Sequence, residues 1–343
     1  MQSNKEITIY DIASKLGISA ATVSRGLKNH PAISEKTKAK ILDAAKKMGY
    51  RSNNFASNLR KQKTNTIGII IHELNSQFIT SVLAGIEKVT AHTDFDLIIG
   101  HSSESAEKEI ANAHNLFHKR VDGLIASLAY DTKDVAHYAP FIRKGIPVVF
   151  FDRVEADSYG TKVVIDNFKA GYEATEHLIK QGCKNIAHIT ASLTRNVYAE
   201  RQRGYKAALQ KNGQHYKKNY TIINDLSEKA AIQASQKILK MTPRPDGVFI
   251  TNDFCAAVCI KAWKEAGLHI PNDIAVVGFN NDAIGKIVEP SLSTINYPGI
   301  EMGEIAAKCL IDQLSGAPGA KQDATIVIKS ELIVRGSSVR KKA

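Results

Sequence analysis

The chain has 343 residues, 43% of them hydrophobic, and a formal net charge of +12. This length predicts about two or three domains with ordinary globular cores. No stretch approaches the roughly 18 consecutive apolar residues of a membrane span, and residues 1–6 are too polar for a secretory signal, so we expect a cytoplasmic protein with no membrane partner. The four cysteines are too scattered for a disulfide framework, and no His or Cys set has metal-ligand spacing, so no metal site is predicted.

The positive charge is concentrated at the start of the chain. The first 63 residues contain thirteen Lys or Arg and four Asp or Glu, so they carry +9 of the net +12. A small basic module on a near-neutral body is typical of a protein that binds nucleic-acid phosphates. A solvated basic arm is the alternative interpretation of the charge alone.

Two short helices joined by a glycine turn are the first predicted elements. Thr8 is placed to cap the first helix, and Gly17 ends it because glycine adopts a positive φ at little cost. Ser19 caps the second helix, in which Val23 and Leu27 face inward and small or hydrogen-bonding side chains face outward. This layout predicts a helix-turn-helix, in which the second helix enters the major groove of DNA.

A third helix is predicted between Ser34 and Gly49, and it completes a small all-α domain over residues 1–50. Residues 51–64 follow as a hinge that is rich in Asn and Ser. The hinge is compatible with a helix of about eight residues, but a helix of that length does not hold in water unaided. We therefore expect the hinge to order only when something packs on it.

From residue 65 to residue 343 the pattern alternates between strands and helices, which predicts parallel sheets wound with helices. The apolar runs expected to form buried strands are residues 66–71, 96–99, 123–126, 147–151, 162–165, 185–189, 247–250 and 274–277. The amphipathic segments between them are residues 77–92, 107–119, 170–180, 199–211, 230–240 and 255–266. We expect two similar doubly wound lobes, the first formed by residues 65–162 and 292–322, the second by residues 163–291 and 323–343.

Several ordered motifs make the chain resemble the LacI family of bacterial transcription regulators over nearly its whole length. In the N-terminal part these motifs are Thr8-Ile-Tyr-Asp-Ile-Ala, Gly17-Ile-Ser, Thr22-Val-Ser-Arg25, Gly49-Tyr50 and Asn53-x-x-Ala56-x-x-Leu59. In the body they are Arg201-x-x-Gly204-Tyr205, Thr251-Asn252-Asp253 and Val276-Val277-Gly278-Phe279. The resemblance implies a helix-turn-helix headpiece on a periplasmic-binding-protein-like α/β core. It further implies a transcription regulator, expected to be a repressor, that binds a pseudo-palindromic double-stranded operator as a homodimer.

The resemblance also implies which residues contact DNA. In the headpiece these are Thr8, Ser19, Ala20, Ala21, Thr22, Ser24 and Arg25, and in the hinge Asn53, Ala56, Leu59 and Arg60. Arg25 can pair with guanine through two hydrogen bonds, although a phosphate contact is the alternative. Leu59 would be an apolar wedge in the minor groove, with interdomain packing as the alternative. Ser52 departs from the family pattern, because many members have proline there.

The polar residues that follow the strands are the expected effector site, since ligands of such sheets lie at the carboxyl ends of strands. The residues that the resemblance implies are Phe78, Ser127, Asp152, Arg195, Asn196, Arg201, Asn252, Asp253 and Asn280. Carboxylates, amides and an arginine suit a polyol, so a sugar or sugar derivative is favoured. Arg195-Asn196 is similar to a pair in a purine-responsive member of the family, so a nucleobase or nucleoside stays open. For any one of these residues, stabilising its loop is the alternative role.

Two other functions are disfavoured. The chain has no G-x-G-x-x-G, G-x-x-x-x-G-K-[ST], G-x-S-x-G or H-E-x-x-H motif, so neither an enzyme nor a cofactor is expected. Asp152 and Asp253 could form an acid/base pair, but nothing in the sequence places a reacting bond between them. A secreted sugar carrier does not fit the basic headpiece. The sequence leaves open whether the effector releases the protein from DNA or promotes its binding.

Overall fold

The computed structural model describes residues 7–50, 63–320 and 322–340. They divide into two compact units, one ending at Thr64 and the other starting at Asn65. Within the described residues, no helix is both long enough and apolar enough to cross a membrane.

The described residues of the first unit form three helices, α1 (Ile9–Leu16), α2 (Ala20–Leu27) and α3 (Glu35–Met48). α1 begins with a capping box, in which the main-chain N–H of Thr8 donates to Asp11 Oδ2 at 2.7 Å, and it ends at Gly17 with φ of 65°. α2 begins where Ser19 Oγ accepts from the main-chain N–H of Thr22 at 3.1 Å. Ile12, Val23 and Ile41 are fully buried and form the centre of a small core.

The second unit contains two six-stranded sheets, each covered by helices. The first sheet has the order β11-β5-β4-β3-β1-β2, and its strands are β1 (Thr66–Ile71), β2 (Asp96–His101), β3 (Gly123–Ala126), β4 (Val148–Phe151), β5 (Thr161–Ile165) and β11 (Thr325–Ile328). The second has the order β12-β10-β9-β8-β6-β7, and its strands are β6 (Ile186–Thr190), β7 (Thr221–Ile223), β8 (Gly247–Ile250), β9 (Ala275–Asn280), β10 (Ser293–Asn296) and β12 (Glu331–Ile333). All paired strands are parallel except β10 and β12.

The chain crosses between the lobes a few residues later than the sequence boundaries at 162, 291 and 322. β5 pairs with β4 and β11 in the first sheet, while β10 pairs with β9 in the second. The crossings therefore follow Ile165, Asn296 and Ile328. Alternation of strands and helices shows where strands lie, but it does not show which sheet a strand joins, so the boundaries at 162, 291 and 322 were wrong by three to six residues.

Nine further α-helices of the second unit are described, besides two 3-10 helices of three residues each. The α-helices are α4 (Gln77–Thr90), α5 (Ala106–His118), α6 (Ala139–Arg143), α7 (Asn167–Lys180), α8 (Asn196–Lys211), α9 (Glu228–Leu239), α10 (Asp253–Glu265), α11 (Ile284–Ile287) and α12 (Gly299–Ser315). α4 packs against α12 in the first lobe and α7 against α8 in the second. The α7–α8 contact is so close that a Cβ on Gly171 would lie 2.2 Å from the main-chain oxygen of Arg201.

Candidate functional site

The outward face of α2 presents the side chains expected to meet DNA. Ala21 and Arg25, one helical turn apart, are both exposed, and so is Ser19 at the start of the helix. Ala20, Thr22 and Ser24 are half-buried beside them. Thr8 is exposed at the start of α1, where it forms the capping box. This face combines one long cation with methyl and hydroxyl groups, which suits a helix that lies close to bases and phosphates.

Two hydroxyl groups of this face already have protein partners. Ser19 Oγ and Thr22 Oγ1 lie 2.8 Å apart in a hydrogen bond. This bond uses only one of the two O–H groups, so the other can donate to a phosphate oxygen while Ser19 continues to cap the helix. The predictions for Asn53, Ala56, Leu59 and Arg60 fall outside the described residues.

A cavity of about 520 Å³ lies between the two lobes, at the carboxyl ends of the strands. Five of the nine predicted effector residues line it: Phe78, Asp152, Arg201, Asn252 and Asn280. Asp152 and Asn252 come just after β4 and β8, and Asn280 ends β9. Phe78 lies in the first turn of α4 after β1, and Arg201 lies in α8. Four of the five are therefore at strand ends or in the segments that follow them, as the end-of-strand rule predicts.

Asp152 and Tyr297 join at one wall of this cleft. The Tyr297 hydroxyl donates to Asp152 Oδ1 at 2.5 Å, and the Tyr297 ring stacks on Phe78 with a centroid distance of 4.1 Å. Burial raises the pKa of Asp152, while the positive charges of Arg153 and Arg201 partly oppose that rise. The wall therefore offers a carboxylate acceptor beside an aromatic surface.

Arg201 is buried and is held in place on two sides. Its Nε donates to Asn167 Oδ1 at 2.8 Å, and its guanidinium carbon lies 3.5 Å from the centre of the Phe279 ring. Burial lowers the pKa of Arg201, but an arginine keeps its charge in a protein. A fixed guanidinium at the cleft wall is suited to donate paired hydrogen bonds to a ligand oxygen.

Ser127 and Asp253 do not line the cleft, contrary to the sequence expectation. Ser127 Oγ lies 3.0 Å from Nδ1 of His72, and His72, not Ser127, lines the cleft. Asp253 accepts from Thr294 Oγ1 and from the main-chain N–H of Asp282, each at 2.8 Å. Burial raises the pKa of Asp253 to about 7. Both residues support the loops behind the wall, because each side chain is fully buried against another element.

Arg195 and Asn196 also lie outside the cleft lining, and both bind the opposite lobe. Arg195 Nη2 donates to the main-chain oxygen of Thr132 at 2.5 Å. Asn196 Oδ1 accepts from the main-chain N–H of Val154 at 3.1 Å, and its Nδ2 donates to the main-chain oxygen of Asp152 at 3.2 Å. These contacts connect the two lobes.

Several cleft residues were not among the predicted ones. Arg153 lies directly after Asp152, and its Nη1 contacts both carboxylate oxygens of Glu104, at 2.9 and 2.7 Å. Its guanidinium also covers the Tyr130 ring, at 4.2 Å from the centroid. The other lining residues outside the predicted nine are His72, Glu73, Asn75, Ser76, Gln77, Tyr130, Val197, Tyr198, Asp225, Leu226, Ser227, Thr251, Phe254, Asp282, Ile284 and Tyr297. Many of them follow a strand, and position after a strand was the signal available for them.

Comparisons with known proteins agree with both units. The model of bacterial regulatory proteins of the lacI family matches residues 8–53, and that of the periplasmic binding protein-like domain matches residues 175–338. Catabolite control protein A of Priestia megaterium is 30% identical over 89% of this chain and 91% of its own length. The HTH-type transcriptional regulator RegA of Clostridium saccharobutylicum is 31% identical over 97% of this chain and 99% of its own.

A solved structure shows the same fold. The lac repressor dimer bound to operator and the anti-inducer ONPF has a TM-score of 0.87 and 24% identity, covering 98% of this chain and all of the repressor chain. The helix-turn-helix, the two-lobed core and the relatives that match along nearly the full length lead to one conclusion: the chain belongs to the LacI family and is a DNA-binding transcription regulator.

Proposed function

We propose that this protein is a repressor that binds a pseudo-palindromic operator as a homodimer and is controlled by a small molecule in the interlobe cleft. The exposed face of α2, with Ala21 and Arg25 one turn apart above the buried Val23, carries the proposal. A dimer would present two such helices to successive major grooves about one helical turn apart. The lac repressor, which shares the fold, was solved as a dimer on its operator.

Base reading from this helix would depend mainly on Arg25. A bidentate arginine–guanine contact contributes roughly 1–3 kcal/mol of discrimination, whereas Ala20 and Ala21 offer only methyl groups, suited to thymine. We propose that the hinge supplies the rest, with Leu59 as a minor-groove wedge and Arg60 beside it. The hinge roles are carried by the sequence resemblance alone.

The effector that we propose is a sugar or sugar derivative. Asp152, Asn252 and Asn280 supply acceptors and amide donors at the cleft wall, Arg201 supplies a fixed donor, and the Phe78–Tyr297 pair supplies an apolar face. Hydroxyl groups that both donate and accept match such a wall. A nucleobase is less well supported, because Arg195, on which that alternative depends, donates to Thr132 and does not line the cleft.

Catalysis is not part of this proposal. The acid/base pair that the sequence left open, Asp152 and Asp253, is divided by the structure, since Asp152 lines the cleft and Asp253 does not. An operator-binding protein acts where the chromosome is, so we place it in the bacterial cytoplasm.

Selection from a random DNA pool tests the proposal. Purified protein is mixed with random double-stranded DNA, and bound sequences are enriched over several rounds. We expect a pseudo-palindrome with two equivalent half-sites, and we expect a sugar from a small-molecule panel to change the affinity for it. Recovery of no common sequence would contradict the regulator proposal, and a single unpaired half-site would contradict the dimer.

A further inference from the structure

Among the charged side chains that line the cleft, negative ones outnumber positive ones. The carboxylates on the lining are Glu73, Asp152, Asp225 and Asp282, and the guanidinium groups are Arg153 and Arg201. A ligand in the cleft meets this set at short range in a partly desolvated space, where charge–charge interactions are stronger than in bulk water.

Neighbouring protein groups largely neutralise the positive charge of Arg153, so it attracts a ligand only weakly. Its Nη1 contacts both carboxylate oxygens of Glu104, and its Nη2 donates to the Tyr198 hydroxyl at 3.3 Å. The flat face of its guanidinium lies over the Tyr130 ring. Arg153 and Glu104 thus form a neutral pair within the wall.

Arg201 is then the cation that remains on the lining, and Asp152 is close enough to interact with its charge. Among the described residues, the lining has no further cation to balance the charges of Glu73, Asp225 and Asp282. None of these three carboxylates has a salt bridge to a basic side chain within the described parts of the chain. Asp282 is buried, and its Oδ2 accepts from Asn280 Nδ2 at 3.2 Å, which is an uncharged donor.

Two of the helix N-termini at the cleft, those of α9 and α10, are capped by side-chain oxygens and begin with an acidic residue. Ser227 caps α9 and Glu228 is its first residue, while Asn252 Oδ1 caps α10 through the main-chain N–H of Cys255 at 2.9 Å and Asp253 is its first residue. Free helix N-termini attract phosphate groups. At α9 and α10, acidic side chains already meet the partial positive charge of the helix, whereas the first turn of α4, whose Gln77 and Phe78 line the cleft, has no acidic residue.

We infer that the cleft accepts an uncharged, hydroxyl-rich ligand and excludes ligands that carry a phosphate or carboxylate group. This inference rests on the proposed effector role of the cleft and narrows it. Ligand hydroxyls donate to the surplus carboxylates and accept from Asn252, Asn280 and Arg201. An anionic ligand has one cation to pair with and three unbalanced carboxylates to approach.

Matched pairs of probes test the inference on the full chain by isothermal titration. The pairs are glucose and glucose 6-phosphate, fructose and fructose 6-phosphate, ribose and ribose 5-phosphate, and adenosine and AMP. In each pair that binds, we expect the uncharged member to bind at least tenfold more tightly. If a phosphorylated member binds more tightly than its parent and changes operator affinity, the charge inference fails while the proposed function stands. If no member of any pair binds, both fail.

Variants that remove single negative charges test whether the surplus carboxylates cause the preference for uncharged ligands. In Glu73→Gln and Asp282→Asn, we expect the affinity ratio of a binding pair to shift severalfold toward the phosphorylated member. Glu301→Gln is the matched control, because Glu301 is exposed on α12 and does not line the cleft. Glu73 is half-buried, so its variant keeps the test valid if Asp282→Asn folds poorly. Ratios in both variants equal to that of Glu301→Gln would overturn the inference.

Discussion

Asn196 in the second lobe donates from Nδ2 to the main-chain oxygen of Asp152 in the first lobe at 3.2 Å, directly behind a carboxylate that lines the cleft. The same side chain accepts from the main-chain N–H of Val154. Thr194 Oγ1 reaches the main-chain oxygen of Tyr130 at 3.1 Å. Hydrogen bonds between the lobes therefore hold this flank of the cleft together, and we expect the angle between the lobes to depend on them.

Loss of the Asn196 bonds is expected to loosen this flank. In Asn196→Ala, the distance distribution between spin labels on exposed positions of α5 and α9 should broaden, and operator affinity without ligand should change severalfold. Asn224→Ala is the matched control, because Asn224 forms its two bonds, to Leu226 and Ala230, within the second lobe. An Asn196 variant with an unchanged distance distribution and weakened ligand binding would instead identify Asn196 as a ligand contact.

Arg25→Ala is expected to weaken binding to the selected operator by roughly 1–3 kcal/mol, while binding to random DNA weakens much less. The reason is that a bidentate base contact discriminates between sequences, whereas a phosphate contact does not. Fluorescence anisotropy at fixed salt measures both affinities. Lys36→Ala, on an exposed position of α3, is the control for loss of one positive charge. Equal losses on the two DNAs would make Arg25 a phosphate contact.

The carboxyl of Asp253 predicts a pH dependence of stability. Its pKa rises from 3.8 to about 7 on folding, so the folded state holds the proton more tightly than the unfolded state. Its contribution is most favourable below the unfolded pKa and is lost as the pH rises from about 4 to about 7. Each pKa unit corresponds to about 1.4 kcal/mol, so the loss amounts to a few kcal/mol.

Asp253→Asn should remove this loss, because the amide oxygen can still accept from Asp282 while carrying no charge. We expect the melting temperature of the variant, relative to that of the natural chain, to be higher at pH 8 than at pH 5. Thermal unfolding at both pH values measures the difference. A relative melting temperature that does not change with pH would contradict a raised pKa at Asp253.

Gly171→Ala is expected to displace Arg201 and weaken the effector response. The new Cβ would lie 2.2 Å from the main-chain oxygen of Arg201, so α7 and α8 must separate. Gly85→Ala is a close steric control, because its Cβ would lie 2.1 Å from the main-chain oxygen of Ile300 in the other lobe. Overpacking of this kind costs roughly 1–3 kcal/mol of stability. We expect the two variants to lose similar amounts of stability, and we expect only Gly171→Ala to lose ligand affinity. Equal ligand affinities in the two variants would contradict this prediction.

The sequence predicted what depends on local signals. The caps at Thr8 and Ser19 and the turn at Gly17 lie where capping chemistry requires them, and Arg201 reaches the cleft from α8. The strands that it did not single out are short or lie at sheet edges, such as β7 (Thr221–Ile223), where Ile223 is 53% exposed. A half-exposed strand of three residues gives little period-two pattern.

The sequence alone did not predict contacts between residues that are far apart along the chain. The Arg153–Glu104 pair joins residues that are 49 positions apart, and neither position alone indicates a partner. Arg195 and Asn196 carry a family-like pattern, but their side chains turn toward Thr132, Val154 and Asp152. Proximity to a strand end thus predicted which loops meet at the cleft, and packing between the lobes decided which side chains face it.

The central claim is that a sugar bound in the cleft changes operator affinity. The most direct test is to measure operator affinity by fluorescence anisotropy, with and without a saturating concentration of a sugar that binds the cleft. The measurement is made for the natural chain and for Arg201→Ala. Coupling between such sites is typically about 1–3 kcal/mol, so we predict a 5- to 150-fold change in operator affinity on ligand binding. In Arg201→Ala, operator affinity without ligand should stay similar and the ligand effect should disappear. An operator affinity that is the same with and without bound sugar in the natural chain would contradict the account.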